Sequence, residues 1–184
     1  MNALSVGPRM SYRIWVAALM LAAFGCEGAP CRPALQAEAG RGDEVDALGI
    51  GWDQPLARCD EETGPQVHLL GRLDHWKGRA PEPAVKDVAD VSLTPFLRWF
   101  PTFAGMPIHI DVGIGVHAIS HTRINAERKM STAFQFGEFI GASMPLGARG
   151  DYELGVRLQH VSNGGIKHPN DGITYPLFVV ARTF

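Results

Sequence analysis

Between residues 107 and 118 the chain alternates with period two. The even positions Ile108, Ile110, Val112, Ile114, Val116 and Ala118 are apolar, while His109, Asp111, Gly113, Gly115 and His117 between them are polar or small. Residues 151–160 repeat the pattern, with Tyr152, Leu154, Val156 and Leu158 on one face and Glu153, Arg157 and Gln159 on the other. Successive side chains of a strand point to opposite faces, so each segment reads as a strand with one apolar and one polar side. The same reading predicts eight strands, at about 33–39, 44–53, 66–76, 88–100, 107–119, 131–144, 151–162 and 173–183. Turn signals separate them: DQP at 53–55, RAPEP at 79–83, FAGMP at 103–107 and PLGARGD at 145–151. No long helical periodicity, internal repeat or low-complexity tract interrupts this order.

A soluble sandwich and a membrane barrel both produce such alternation. Length separates them. A tilted membrane strand needs about 9–11 residues, whereas strands of soluble domains cluster near 5–6. The long segments here predict an all-β fold, an eight-stranded antiparallel transmembrane β-barrel of the outer-membrane type over residues 32–184. Closure would satisfy every strand edge within lipid. On this assignment His109, Asp111 and His117 lie on the interior face and act as hydrogen-bonded filling; with His121 nearby they are not read as a metal site, and no cofactor is expected. Trp76, Trp99 and Phe100 fall near predicted strand ends, where aromatic anchors are expected. Glu138 stands on the otherwise apolar face of 131–144, marking either that strand's edge or a shift of register.

Composition narrows the partners. Of 184 residues, 17 are Lys or Arg and 19 are Asp or Glu, a net charge of −2 that argues against nucleic acid. Arg9 and Arg13 precede the apolar run IWVAALMLAAF at 14–24, and Gly25 and Gly28 follow. That order predicts a secretory signal over residues 1–25, with Met10 as an alternative start, since the run is too short to span a bilayer. AAFGC, ending at Cys26, is only weakly similar to a lipoprotein box, so cleavage without lipidation is the expectation and lipidation the alternative. Cys31 and Cys59 pair or stay free with equal support, and no CxxC spacing occurs.

The candidate chemistry sits late in the chain. His160 and Ser162, two apart on one strand, share the face of Leu154, Val156 and Leu158, so both point towards lipid near a strand end. Polar groups on that face are costly unless they have a use there. An imidazole that accepts a hydroxyl proton while the oxygen attacks an ester carbonyl is one use. The plainer alternative is a strand-end His and Ser that hydrogen-bond to a loop.

From His160 to Gly172 the chain reads HVSNGGIKHPNDG, which resembles the lipid A 3-O-deacylase (PagL) family pattern H-x-S-N-x-G-[LI]-K-x-P-N-D-G-I. The match holds at His160, Ser162, Asn163, Gly165, Ile166, Lys167, Pro169, Asn170, Asp171, Gly172 and Ile173. Weaker similarity extends over GRLDHWKG at 71–78, GIGV at 113–116 and FQFGEFIGA at 134–142, covering most of residues 44–184 in order. The terminal Phe184, with Phe178 and Val180 before it, resembles the C-terminal signal of outer-membrane barrels, from which Arg182 departs. The resemblance implies an outer-membrane hydrolase that removes the ester-linked 3-O-acyl chain of lipid A, the lipid of lipopolysaccharide, without a cofactor. It implies Ser162 as nucleophile, His160 as general base, and Asn163 with nearby backbone N–H groups as oxyanion donors; a homodimer is compatible with it. The family's pattern has a Glu shortly after PNDGI, and Thr174 stands there. Either Thr174 orients His160, or Asp171 substitutes as third member, or activity is lost; a working or weakened dyad is favoured. The alternative function is a non-catalytic barrel with a structural or envelope-binding role.

Overall fold

The computed structural model describes residues 32–58, 64–79 and 87–184. The expected signal segment at 1–25, Cys26, Cys31 and Cys59 lie outside the described residues. The elements in chain order are β1 (Ala34–Gly42), β2 (Val45–Ala57), β3 (Gln66–Gly78), β4 (Asp87–Trp99), the two-residue strands β5 (Thr102–Phe103) and β6 (Met106–Pro107), β7 (His109–Ile119), β8 (Phe134–Leu146), β9 (Tyr152–Ser162) and β10 (Ile173–Thr183). Eight of them close into a barrel in which each strand pairs antiparallel with its sequence neighbours and β10 returns to β1. The short β5–β6 hairpin joins β4 to β7. The turn at 43–44, the β3 end at Gly78, the β4 start at Asp87 and the loops 120–133 and 163–172 share one end of the barrel, here the loop end. Both ends of the described chain meet at the other. The RAPEP turn expected at 79–83 lies, past Arg79, outside the described residues.

One expected turn is strand. The DQP at 53–55 lies within β2, which continues to Ala57 with its register broken between Pro55 and Ala57. A proline cannot donate to the ladder, and a bulge beside it accommodates that loss. Asp53 then faces inward, its Oδ1 2.7 Å from Nδ1 of His68.

The outward face is an apolar belt. Leu48, Ile50, Val91, Ile114, Ile140 and Phe178 are each more than half exposed. Exposed apolar area on this scale belongs against hydrocarbon, not water. At the terminal end Phe184 stacks on Trp52 at 6.2 Å, and the Arg182 guanidinium lies 5.3 Å from the Phe184 ring centre and 6.0 Å from that of Tyr152. Arg182 therefore departs from the alternation because it reaches the aromatic girdle at the lipid boundary.

Trp76 corrects the expected anchors. It shares the inward face with Arg72 and Asp74, is fully buried, and meets Tyr175 edge-on at 6.1 Å. Its strand parity, not its place near a strand end, decides its surroundings.

The interior has two zones. In the middle, Glu38 bridges Arg72 at 3.0 Å and Arg157 at 2.8 Å, while Arg72 also holds Asp74. Towards the terminal end Arg98 gathers Asp111 at 2.7 Å and Glu153 at 3.1 Å. At the loop end, Val45, Trp76, Ile119, Val161, Ile173 and Tyr175 form an apolar plug. Ile124 and Met130 from the 120–133 loop complete it and bring that loop down over the barrel mouth. His109, Asp111 and His117 are engaged inside: His117 holds Asp90 at 2.7 Å and His109 approaches Glu153 at 3.3 Å.

Candidate active site on the outer wall

Three adjacent strands place the candidate residues. Antiparallel register sets His160 of β9 opposite Thr174 of β10 on one side and opposite Glu138 of β8 on the other. Ser162, two residues on, is opposite Phe136. All five point outward, as strand parity predicts for His160 and Ser162. His160, Ser162 and Thr174 are half-buried, and Glu138 is exposed.

The imidazole has a fixed partner. His160 Nδ1 lies 2.8 Å from Thr174 Oγ1. With the hydroxyl oxygen accepting from Nδ1–H, the lone pair resides on Nε2, the nitrogen left for Ser162. Thr174 is itself pinned, its backbone N–H donating to Asp43 Oδ2 at 2.7 Å from the β1–β2 turn. Gly172 presses from above: with φ at +57° it suits glycine, and a Cβ there would lie 3.2 Å from His160 Cε1 and 3.4 Å from Ser162 Cβ. That missing side chain lets the loop close over the pair.

The polar residues after the dyad hold the loop. Asn163 is fully buried; its Nδ2 donates to the Lys167 carbonyl at 2.7 Å, and its Oδ1 accepts from Gly165 N–H at 3.0 Å. Its own backbone N–H donates to Asn170 Oδ1 at 2.9 Å. Asp171 Oδ2 accepts from Lys129 N–H at 2.8 Å, which ties the loop to the 120–133 segment rather than to His160. The Ser131 hydroxyl, 2.7 Å from both the Lys167 and Pro169 carbonyls, adds a second tie. The donor that faces the Ser162 oxygen is Gly164 N–H, at 3.4 Å.

Thus His160, Ser162 and Thr174 come together, Asp171 is engaged elsewhere, and Asn163 shapes the turn that presents Gly164. Sequence reasoning missed Gly164 and Phe136, named Gly172 only as part of the pattern, and placed Glu138 on the right face without its neighbour. Parity shows which face a residue takes; only register shows what stands beside it.

An apolar groove opens beside the imidazole. From His160 and Thr174 it runs along the outer wall over Leu158, Ile140, Ile114 and Leu97. Its lining is apolar except at the end where His160, Thr174 and Glu138 meet it.

The fold and these side chains define a membrane β-barrel that groups a histidine, a serine and a threonine on its lipid side. The family model for lipid A 3-O-deacylase (PagL) matches residues 46–181, and the chain belongs to that family. It is 37% identical over 138 residues to lipid A deacylase PagL of Pseudomonas aeruginosa, covering 71% of this chain and 73% of that protein. Lipid A deacylase PagL of Bordetella bronchiseptica is 28% identical over 163 residues, or 86% and 87% of the two chains. Among solved structures, that of the outer membrane enzyme PagL superposes with a TM-score of 0.68 at 24% identity, over 82% of this chain and 99% of that one. The N-terminal β-barrel domain of Pseudomonas aeruginosa OprF follows with a TM-score of 0.55 at 13% identity, over 85% and 100%. The closed eight-stranded barrel expected from the alternation is the fold found.

Proposed function

We propose that this protein is an outer-membrane serine esterase that hydrolyses the ester-linked 3-O-acyl chain of lipid A. The reading rests on family membership and on one observation above all: a histidine and a serine face lipid from one strand, beside an apolar groove. In this position a membrane lipid delivers its acyl chain along the wall and its ester to the rim.

The residues divide the work as follows. His160 Nε2 accepts the Ser162 hydroxyl proton while Oγ attacks the ester carbonyl. Gly164 N–H, held by the Asn163 turn, donates to the oxyanion. The bond from carbonyl carbon to sugar oxygen then breaks, and the imidazolium returns its proton to that oxygen. Water repeats the sequence on the acyl-serine and frees the fatty acid. Thr174 holds the ring in the tautomer that this requires. The site is complete within one chain, so turnover needs no second copy, although a homodimer is compatible with it. Residues 1–25 act as the signal that sends the chain to the envelope.

The test uses the full mature chain refolded in detergent micelles with purified lipid A, read by mass spectrometry. Loss of one ester-linked acyl chain is expected, and Ser162→Ala should abolish it while leaving the barrel heat-modifiable. Unaltered lipid A with a well-folded wild-type barrel would favour the non-catalytic alternative.

A further inference from the structure

The outward wall of β8 carries a charge that the dyad leaves unexplained. Glu138 is the fifth residue of Phe134–Leu146, and register with β9 runs unbroken on both sides of it. It marks neither a strand edge nor a slip. Every other outward side chain of β8 is apolar, from Phe134 and Phe136 to Ile140, Ala142, Met144 and Leu146. The other outward strand carboxylates among the described residues, Asp46 and Asp87, lie at the loop-end termini of β2 and β4. They are paired, Asp46 with Arg41 and Arg79, and Asp87 with His75. The Glu138 carboxylate has no hydrogen-bond or ion-pair partner among the described residues. An unpaired carboxylate on a lipid-facing wall is expensive, and such groups mark function.

Its neighbour is His160. Directly opposed residues of an antiparallel pair have Cβ atoms about 4.5–5.5 Å apart, within reach of a glutamate side chain. The pair is also clamped from inside. Buried Gln159 donates through Nε2 to the Glu138 carbonyl at 3.1 Å and to the His160 carbonyl at 3.0 Å. Arg72 in turn holds Gln159 Oε1 at 2.7 Å. His160 thus stands between a neutral acceptor, Thr174, and a carboxylate on the opposite strand.

We propose that Glu138 is the positioning residue that supplies negative charge to the His160 imidazolium, in place of the carboxylate missing at position 174. The inference rests on the Ser162–His160 dyad proposed above. As the serine proton reaches Nε2, the ring becomes a cation at the edge of a low-dielectric medium. Glu138 offsets that charge until the ring passes its proton to the departing sugar oxygen. Thr174 orients the ring, and Glu138 stabilises its charged state.

The other charges nearby are committed or remote. Asp43 accepts Thr174 N–H and lies 3.5 Å from Arg128. Asp171 is held by Lys129 N–H. Lys167 and His168 belong to the closing loop, and β10 carries only Arg182 outward, at the terminal end. Tyr152, at the far end of β9, faces that arginine.

The experiment titrates the His160 imidazole by NMR in the refolded full chain, alongside lipid A turnover. Glu138→Gln should lower the imidazole pKa by about one unit, because an opposite charge at this range favours the protonated ring. It should also cut kcat about ten- to a hundredfold with little change in KM, and move the acid limb of the rate profile to lower pH. Glu138→Asp, which keeps the charge, should retain most of both properties. Asp43→Asn should leave the titration in place. Thr174→Glu should restore much of the loss in the Glu138→Gln background while adding little to the wild type. An unmoved His160 titration in Glu138→Gln would overturn the proposal, as would a failure of Thr174→Glu to rescue. Because the titration needs no turnover, a shifted pKa in an inactive wild-type chain would sink the deacylase reading alone.

Discussion

A hydroxyl stands where a carboxylate is expected beside the proposed base, His160, and it does only part of a carboxylate's work. Thr174 Oγ1 accepts from Nδ1 at 2.8 Å, so the ring is oriented, but a neutral oxygen adds no charge. Thr174→Val keeps the shape and removes the acceptor. Leaving the imidazole N–H unpaired costs about 1–3 kcal/mol, so kcat should fall roughly ten- to a hundredfold. Barrel assembly should be unchanged, as Thr174 lies on the outer wall. Turnover assays on the heat-modifiable protein check this, and wild-type kcat in Thr174→Val would mean that Thr174 has no orienting role.

At the scale of elements, the site depends on two loops folding onto each other. Asp171 and Ser131 tie the 163–172 loop to the 120–133 loop, which is itself anchored by Ile124 and Met130 in the barrel mouth. This arrangement separates two roles for Asp171. As a loop tie it needs only an acceptor for Lys129 N–H, which asparagine also provides. Asp171→Asn should then keep most activity, within about threefold, whereas Asp171→Ala should lose about tenfold, equivalent to one ordinary hydrogen bond. If Asp171 instead serves His160 as a charge, both substitutions should be equally severe. Steady-state rates for the two variants, measured side by side, decide the matter.

For the whole molecule, the interior charge network reaches the backbone of the outer-wall site through Gln159. Arg72 holds Glu38, Asp74 and Gln159, and Gln159 grips the backbone of both Glu138 and His160. Arg72→Met would leave buried Asp74 without its cation and Glu38 with Arg157 alone. Breaking a buried pair in this way costs about 3–5 kcal/mol. The unfolding midpoint in urea should drop accordingly, and turnover should fall even where the barrel remains folded, because Gln159 loses its anchor. An unchanged midpoint would show that Arg157 alone satisfies Glu38.

The alternation of apolar and polar positions determined the strands, their number, which side faces lipid, and the common face of His160 and Ser162, because side-chain direction along a strand is a local property. The position of Trp76 near a strand end predicts the girdle, and the structure places it on the inward face, beside Arg72 and Asp74. The HVSNGGIKHPNDG stretch carried the proposal of His160 and Ser162 as a dyad but not the duties of its other residues. Asn163 and Asp171 are legible as polar, yet their roles as loop ties depend on Ser131 and Lys129, more than thirty residues earlier, while Asn170 is tied to Asn163 within the loop. Only the tertiary structure decided that β2 runs through its proline, that Glu138 stands opposite His160, and that Gln159 clamps the two from within. Those facts belong to pairing between strands, where closure and inter-strand hydrogen bonds select one register, and register is not a property of any single strand.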